Sequence, residues 1–247
     1  MLRYAAVSDI GLVRRNNEDS LYTGCPWGGL EEDLFIVADG MGGHRGGEYA
    51  SRFVALKIPE LLKMAGRKNG AAAAIQYAVE RCNKALYQIS QDQEELNGMG
   101  STLVLAYLDK EEWIIVNVGD SRVYQYLDHE LTQITEDHSQ VEELVRAGRL
   151  ERTDELYLAN RHVITRAMGV EPYVEEDLFS APAVPGSRLL LCSDGLHGMV
   201  EDSEIADVLE EEADLNAAAR RLITLAKERG GRDNVTLILV EVQEENR

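Results

Sequence analysis

Cysteines and long apolar runs are scarce in this chain of 247 residues. It has three cysteines, which are widely spaced and form no CxxC pair. That number and spacing argue against a disulfide framework or a zinc site and favour a reducing cytoplasm. No apolar run approaches the length of a membrane span, and the first residues lack the apolar core of a signal peptide. We therefore expect a cytoplasmic protein without a membrane segment.

Basic residues are also scarce. The 25 Lys and Arg residues face 44 Asp and Glu residues, which gives a formal net charge of −19. Such a surface repels nucleic acid and anionic membranes, so neither is an expected partner. A phosphorylated ligand would be repelled as well, and only a bound cation or a well-placed arginine could hold it. The hydrophobic fraction of 45% is ordinary for a globular domain.

The spacing of apolar residues predicts groups of strands with helices grouped between them. The sequence shows no internal repeat and no interdomain linker. This order indicates one α+β domain over 1–247 rather than a regular parallel α/β fold. The charged segment 148–161 lacks periodicity, and we interpret it as a mobile surface segment. We expect strands at 2–8, 34–38, 102–107, 113–118, 123–126, 131–134, 174–179, 188–192 and 235–242, and helices at 51–64, 70–90, 139–147, 203–211 and 215–229.

A set of aspartates shares one position: each lies where a predicted strand begins or ends, or in an acidic turn, beside small or polar residues. Carboxylates without histidine or cysteine suit hard cations such as Mg²⁺ and Mn²⁺. Each aspartate alone is better explained as a turn residue, because Asp-Gly is a common turn pair. Their joint occurrence favours a metal site. The set is Asp19, Asp39, Asp120, Asp194 and Asp233.

These aspartates belong to sequence blocks that resemble the metal-dependent protein phosphatases of type 2C, in particular the bacterial single-domain branch. The resemblance implies a four-layer α-β-β-α sandwich, in which helices flank two central, mainly antiparallel sheets. Five blocks in the family's order carry it, with small risk of coincidence. They are SDIGLVRRNNEDS (8–20), VADGMGGHRGGE (37–48), VGDSRVY (118–124), LLLCSDGL (189–196) and GGRDNVT (230–236).

The resemblance also implies a centre of two Mn²⁺ or Mg²⁺ ions at one end of the sandwich, with a third, weaker ion. Asp39 would bridge the two core ions, and the backbone carbonyl of Gly40 would bind one of them. Asp194 and Asp233 would bind the other. The remaining implied metal residues are Glu18 and Asp19, acting mainly through water, and Asp120, at the third ion.

Two further residues are candidates for contact with substrate. Arg14 is at the family's phosphate-gripping position, and we favour it over Arg15 because of the motif register. Many eukaryotic relatives have a histidine after the DG pair, where this chain has Met41. His44 is a candidate general acid by reach and by its ordinary pKa. It is equally explained as a loop residue, with water supplying the proton.

The resemblance implies a Mn/Mg-dependent protein serine/threonine phosphatase, in which metal-activated water attacks phosphoserine or phosphothreonine. Its substrates would be proteins phosphorylated by bacterial serine/threonine kinases, and we expect a monomer with a flap subdomain at about 139–165. Two other functions stay open: a binding module without catalytic activity, and a hydrolase of small phosphoesters. Phosphotyrosine and phosphoarginine also stay open as substrates.

Overall fold

The computed structural model describes residues 1–28, 33–42 and 46–243. Two antiparallel sheets dominate this part of the chain. The strands are β1 (Leu2–Asp9), β2 (Asp19–Gly24), β3 (Leu34–Met41), β4 (Gly100–Ser101), β5 (Leu103–Asp109), β6 (Glu112–Val118), β7 (Arg122–Leu127), β8 (Glu130–Gln133), β9 (Asp177–Pro182), β10 (Arg188–Cys192) and β11 (Val235–Val242).

The helices lie outside the sheets. Among the helices of the described ranges, none is both long and apolar enough to cross a membrane. The helices are α1 (Gly46–Ala65), α2 (Ala71–Asp92), α3 (Gln140–Arg146), α4 (Glu155–Asn160), α5 (Asp194–His197), α6 (Asp202–Glu211) and α7 (Leu215–Glu228).

The first sheet has the strand order β1-β11-β10-β7-β8, and the second has the order β2-β3-β5-β6-β9 with β4 beside β3. Both faces of each sheet are covered, which explains why the central strands are apolar at consecutive positions. In β3, Ile36 packs towards α1 and α2, whereas Val37 packs between the sheets. In β11, Leu239 packs towards α6 and α7, whereas Ile238 packs between the sheets. The alternation along each strand thus builds three buried layers, and the predicted four-layer sandwich is confirmed.

Several observed elements differ from the predicted ones; α1 begins at Gly46, and the short elements β4 and α5 were not predicted. β2 was not predicted, because its sequence DSLYTG is polar and it lies at a sheet edge. β9 spans Asp177–Pro182 rather than 174–179. The segment 148–161 contains the short helix α4, whose Tyr157 is buried. A helix of six residues is too short to show periodicity, so only its tertiary contacts reveal it.

Candidate active site

The predicted aspartates lie together at one edge of the sandwich. Asp19 begins β2 and Asp39 is near the end of β3, while Asp194 and Asp233 lie just outside β10 and β11. Asp120 is in the turn between β6 and β7. The negative charges of the other four all act on the carboxyl group of Asp39. The tertiary structure therefore assembles the whole set that was selected from the sequence.

Asp19 and Asp39 are held in place by hydrogen bonds. They are opposite each other in the β2–β3 ladder. The N–H of Asp39 donates to Thr102 Oγ1 at 2.9 Å, and the Thr102 N–H donates to the Asp39 carbonyl at 2.8 Å. The Ser193 hydroxyl donates to Asp19 Oδ2 at 2.8 Å. Ser193 was not predicted as a site residue, because its one sequence signal is its position directly before Asp194.

Gly40 lies where the end of β3 meets the start of α1. A Cβ atom at Gly40 would lie 2.0 Å from the carbonyl oxygen of Gly47 and 2.6 Å from that of Glu18. No side chain fits in this space, so a glycine is required for the close approach of the two backbones. The approach holds the Gly40 backbone at the acidic edge, as the predicted ligand role needs, and that role stays a prediction.

The assembled carboxyl groups have raised pKa values. Burial is the main cause, and the charge of neighbouring aspartates adds to it. The pKa of Asp19 rises to about 7 and that of Asp194 to about 6. The pKa values of Asp39 and Asp120 lie well above their ordinary value for the same reasons. Four buried carboxyl groups so close together need protons or cations to offset their charge.

The residues present fit Mn²⁺ or Mg²⁺. Asp19 Oδ1 and Asp194 Oδ1 are buried, and neither has a hydrogen-bond partner within the described residues. All donors are oxygens, which hard cations prefer. Within the described residues, no three His, Cys, Asp or Glu side chains are spaced so that they could hold a metal ion by themselves. The fit to a hard cation therefore rests on the oxygen donors and on the two unpartnered carboxylate oxygens.

Glu18 lies at the rim of the cluster. Burial raises its pKa; Arg14 opposes the rise, while Asp233 and Glu48 add to it. The Glu18 N–H donates to Asn234 Oδ1 at 2.8 Å, which fixes the backbone beside Asp19. Glu18 is therefore close enough to Asp233 to share its electrostatic environment, as expected for a residue acting mainly through water.

Arg14 reaches the same cluster. Its Nη2 donates to Asp233 Oδ2 at 2.7 Å, and this hydrogen bond is the main cause of a raised Arg14 pKa. The side chain is still 51% exposed, so an incoming anion can reach it. The neighbouring Arg15 is exposed. Of the two arginines, Arg14 is therefore the one that the fold brings to the aspartates.

Two histidines hold the turn that carries Asp120. His197 Nε2 donates to the Asp120 carbonyl oxygen at 3.0 Å. The Gly119 N–H donates to His138 Nδ1 at 3.1 Å, and His138 Nε2 lies 3.1 Å from Asp177 Oδ2. Burial lowers the pKa of both histidines. No role was predicted for His197, and its contact with Asp120, which joins two distant parts of the chain, leaves no local sequence pattern.

Asn234 holds the loop that carries Arg14. Its Nδ2 donates to the carbonyl oxygens of Ile10 and Asn16, each at 3.0 Å. Its backbone N–H, rather than its side chain, donates to Asp233 Oδ1 at 2.8 Å. The GGRDNVT block draws attention to Asn234, yet only the structure assigns its side chain to the loop.

His44 falls within 43–45, which lie outside the described residues. Its predicted role as the general acid stays a prediction.

A sequence profile described as Protein phosphatase 2C matches residues 14–236. The chain belongs to this family. A relative in Listeria monocytogenes serotype 4b, named serine/threonine phosphatase stp, is 39% identical over 242 residues, which cover 95% of this chain and 93% of that protein. The serine/threonine protein phosphatase PstP of Mycobacterium tuberculosis is 41% identical over 98% of this chain and 45% of that longer protein.

Solved structures of this family show the same fold. The catalytic domain of PstP in complex with two manganese ions superposes with a TM-score of 0.86 at 40% identity, covering 98% of this chain and 99% of that one. Stp1 from Staphylococcus aureus gives a TM-score of 0.90 at 34% identity, covering 99% and 96%. The predicted fold and enzyme class are confirmed: the chain is a protein serine/threonine phosphatase that depends on Mn²⁺ or Mg²⁺.

Proposed function

We propose that the acidic edge holds two Mn²⁺ or Mg²⁺ ions and a third, weaker one, and that substrate phosphate binds beside them. Asp39 would bridge the core ions, with the Gly40 carbonyl on one and Asp194 and Asp233 on the other. The convergence of the five aspartates and the unpartnered buried oxygens of Asp19 and Asp194 support this assignment. The further residues assigned to metal are Glu18 and Asp19, through water, and Asp120 at the third ion.

The bound cations supply positive charge that acidifies a water and offsets charge on the phosphoryl oxygens. The chain's own residues hold the phosphate and the aspartates in position. Arg14 presents a planar fork that matches two phosphoryl oxygens, and it reaches them by releasing Asp233. The hydroxyls of Thr102 and Ser193 fix the two aspartates of the β2–β3 pair, so little rearrangement is needed when substrate arrives.

The proton for the leaving serine or threonine oxygen is assigned to His44 or to water. His44 follows Asp39 by five positions in the sequence, and an imidazole ordinarily titrates near neutral pH, which suits proton donation.

We further propose that the substrates are proteins phosphorylated by a serine/threonine kinase, and that the enzyme is a cytoplasmic monomer. The names of the relatives support the substrate class. Cys82 and Cys192 are buried free thiols, which fits a reducing compartment.

One observation carries the proposal: the fold brings five aspartates and Arg14 from distant parts of the chain to a single edge. The test is hydrolysis of a phosphothreonine peptide by metal-stripped protein, with and without added Mn²⁺. We expect activity only with Mn²⁺, and loss of that activity in Asp39→Asn. The matched control is Asp207→Asn, since Asp207 is an exposed aspartate of α6.

Each contrary outcome has a defined meaning. Full activity in Asp39→Asn and in Asp194→Asn would refute the metal assignment. Folded protein without activity under either metal would favour the binding module. Higher catalytic efficiency on a small aryl phosphate than on the peptide would favour the hydrolase of small phosphoesters.

A further inference from the structure

Two apolar side chains are exposed beside Arg14. Leu12 is 63% exposed and Val13 is 64% exposed. Isolated exposed apolar residues are ordinary on protein surfaces, whereas adjacent ones beside a functional group point to a contact surface. We refer to Leu12 and Val13 as the apolar pair.

The loop that carries the apolar pair is held rigidly. The Leu12 N–H donates to the Gly231 carbonyl at 2.8 Å, and the Gly11 N–H donates to Asp9 Oδ1 at 2.8 Å. Lys227 Nζ lies 2.9 Å from Asp9 Oδ2, which fixes that carboxylate in turn. The two side chains therefore face solvent because the backbone is pinned in this shape.

Gly11 locks the loop against the segment that carries Asp233. Its φ is +78°, and a Cβ there would lie 2.2 Å from the Asp233 carbonyl oxygen. Only glycine tolerates both the left-handed backbone and this contact. The side chain of Leu12 lies against Gly231, since a Cβ at Gly231 would be 2.9 Å from Leu12 Cγ. The apolar pair is thus continuous with the acidic edge.

The apolar pair borders Arg14 and the segment of Asp233. Val13 is adjacent to Arg14 in the chain, and Leu12 contacts Gly231, two residues before the Asp233 that accepts from Arg14. Neighbouring residues of an extended peptide are about 3.3 Å apart, so residues next to a phosphoresidue held by Arg14 would pass this surface.

We propose that Leu12 and Val13 form a subsite for an aliphatic side chain that lies one or two positions from the phosphorylated serine or threonine of a protein substrate. The proposal rests on the proposed function, because it assumes that Arg14 holds the phosphate. The enzyme would then prefer phosphorylated sites that have an apolar residue nearby over sites that have a polar residue there.

The test uses pairs of phosphothreonine peptides. The two peptides of a pair differ only in having Leu or Ser at one position, and the positions tested are the two before and the two after the phosphothreonine. The full chain is loaded with Mn²⁺, and kcat/KM is measured for each pair. We expect Leu at one of these positions to raise kcat/KM about fivefold, because part of its apolar surface leaves water. The double variant Leu12→Ser with Val13→Ser should remove the preference.

Two controls make the result specific. Leu56→Ser removes a leucine of α1 that is 55% exposed, and this variant should keep the peptide preference. Leu12→Met with Val13→Leu keeps apolar surface and should keep the preference as well. It also separates the loss of a contact from damage to the loop.

Equal kcat/KM for every Leu and Ser pair in the unchanged enzyme would overturn the subsite. So would a preference that survives in the folded double Ser variant. Failure to hydrolyse any phosphopeptide with Mn²⁺ would instead overturn the proposed function, so the two failures are distinguishable.

Discussion

Arg14 Nη2 and Asp233 Oδ2 lie 2.7 Å apart, so the arginine assigned to the phosphate contacts an aspartate assigned to a metal ion. On the proposed assignment, the phosphate binds the guanidinium that also donates to Asp233. Metal binding and substrate binding would then be coupled through one ion pair, which joins positions 219 residues apart in the chain. Because the pair is partly exposed, its own contribution to folding stability is small.

We predict that Arg14→Ala lowers kcat/KM for a phosphothreonine peptide by about 100-fold, because a charge-assisted contact with the phosphoryl group is lost. Arg15→Ala is the matched control, since it removes the same charge one residue away, and it should change kcat/KM by less than about twofold. Steady-state kinetics with Mn²⁺ measures both. Equal losses in the two variants would show that only general surface charge matters.

Mn²⁺ should stabilise the fold more strongly at high pH than at low pH. The pKa of Asp19 is raised to about 7 and that of Asp194 to about 6. A carboxyl group whose pKa is raised by folding stabilises the fold while protonated, and this stabilisation is lost as the pH rises through the folded pKa. Bound cations offset the carboxylate charge once these protons are lost. The stabilisation of the fold by Mn²⁺ therefore grows as the pH rises.

The measurement is the shift in Tm between protein with excess chelator and protein with Mn²⁺, at about pH 5.5 and about pH 8. The comparison at each pH cancels the titration of groups that Mn²⁺ does not touch, including the buried histidines. Calorimetry near pH 6 should also detect protons that are released when Mn²⁺ binds. An identical Tm shift at both pH values would contradict the prediction.

We predict that His138→Leu destabilises the protein by about 2 kcal/mol, because the buried Gly119 N–H and the Asp177 carboxylate both lose a partner. His162→Leu is the control, since His162 is exposed, and its effect should be below about 0.5 kcal/mol. Urea unfolding in chelator measures both. A neutral result for His138→Leu would mean that the turn before Asp120 holds its shape without this bond.

The segment between α3 and α4 is tethered by Glu142, which is buried. Arg152 pairs with its carboxylate, and the Tyr157 hydroxyl donates to it at 3.0 Å. Burial opposes ionisation of Glu142, but these two partners outweigh it and leave the pKa below its ordinary value. The tether is therefore an ionised carboxylate at neutral pH.

We predict that Glu142→Gln loosens this segment locally. Trypsin should cleave after Arg149 or Arg152 about fivefold faster, while the global Tm changes little. Glu143→Gln is the matched control, because Glu143 is exposed and adjacent. Unchanged cleavage in Glu142→Gln would show that the tether does not limit opening of the segment.

The central strands and long helices could be predicted because their apolar residues follow a clear period. β10 was predicted with its observed bounds, Arg188–Cys192, and the helix expected at 215–229 is α7. Elements whose stability comes from their surroundings could not be predicted, such as the polar edge strand β2 and the helix α4. Local propensity is weak in both, and tertiary contacts decide.

The sequence by itself determined the chemistry of this protein. Carboxylates at strand ends and an arginine in the first block predict a site for hard cations and a phosphate, and their order in the chain indicates the family. Only the tertiary structure decided how these groups are held. Ser193 on Asp19, His197 on the backbone of Asp120 and the ion pair of Arg14 with Asp233 all join distant positions. Such contacts leave no local pattern, because hydrogen bonds between loops depend on where the strands end in space.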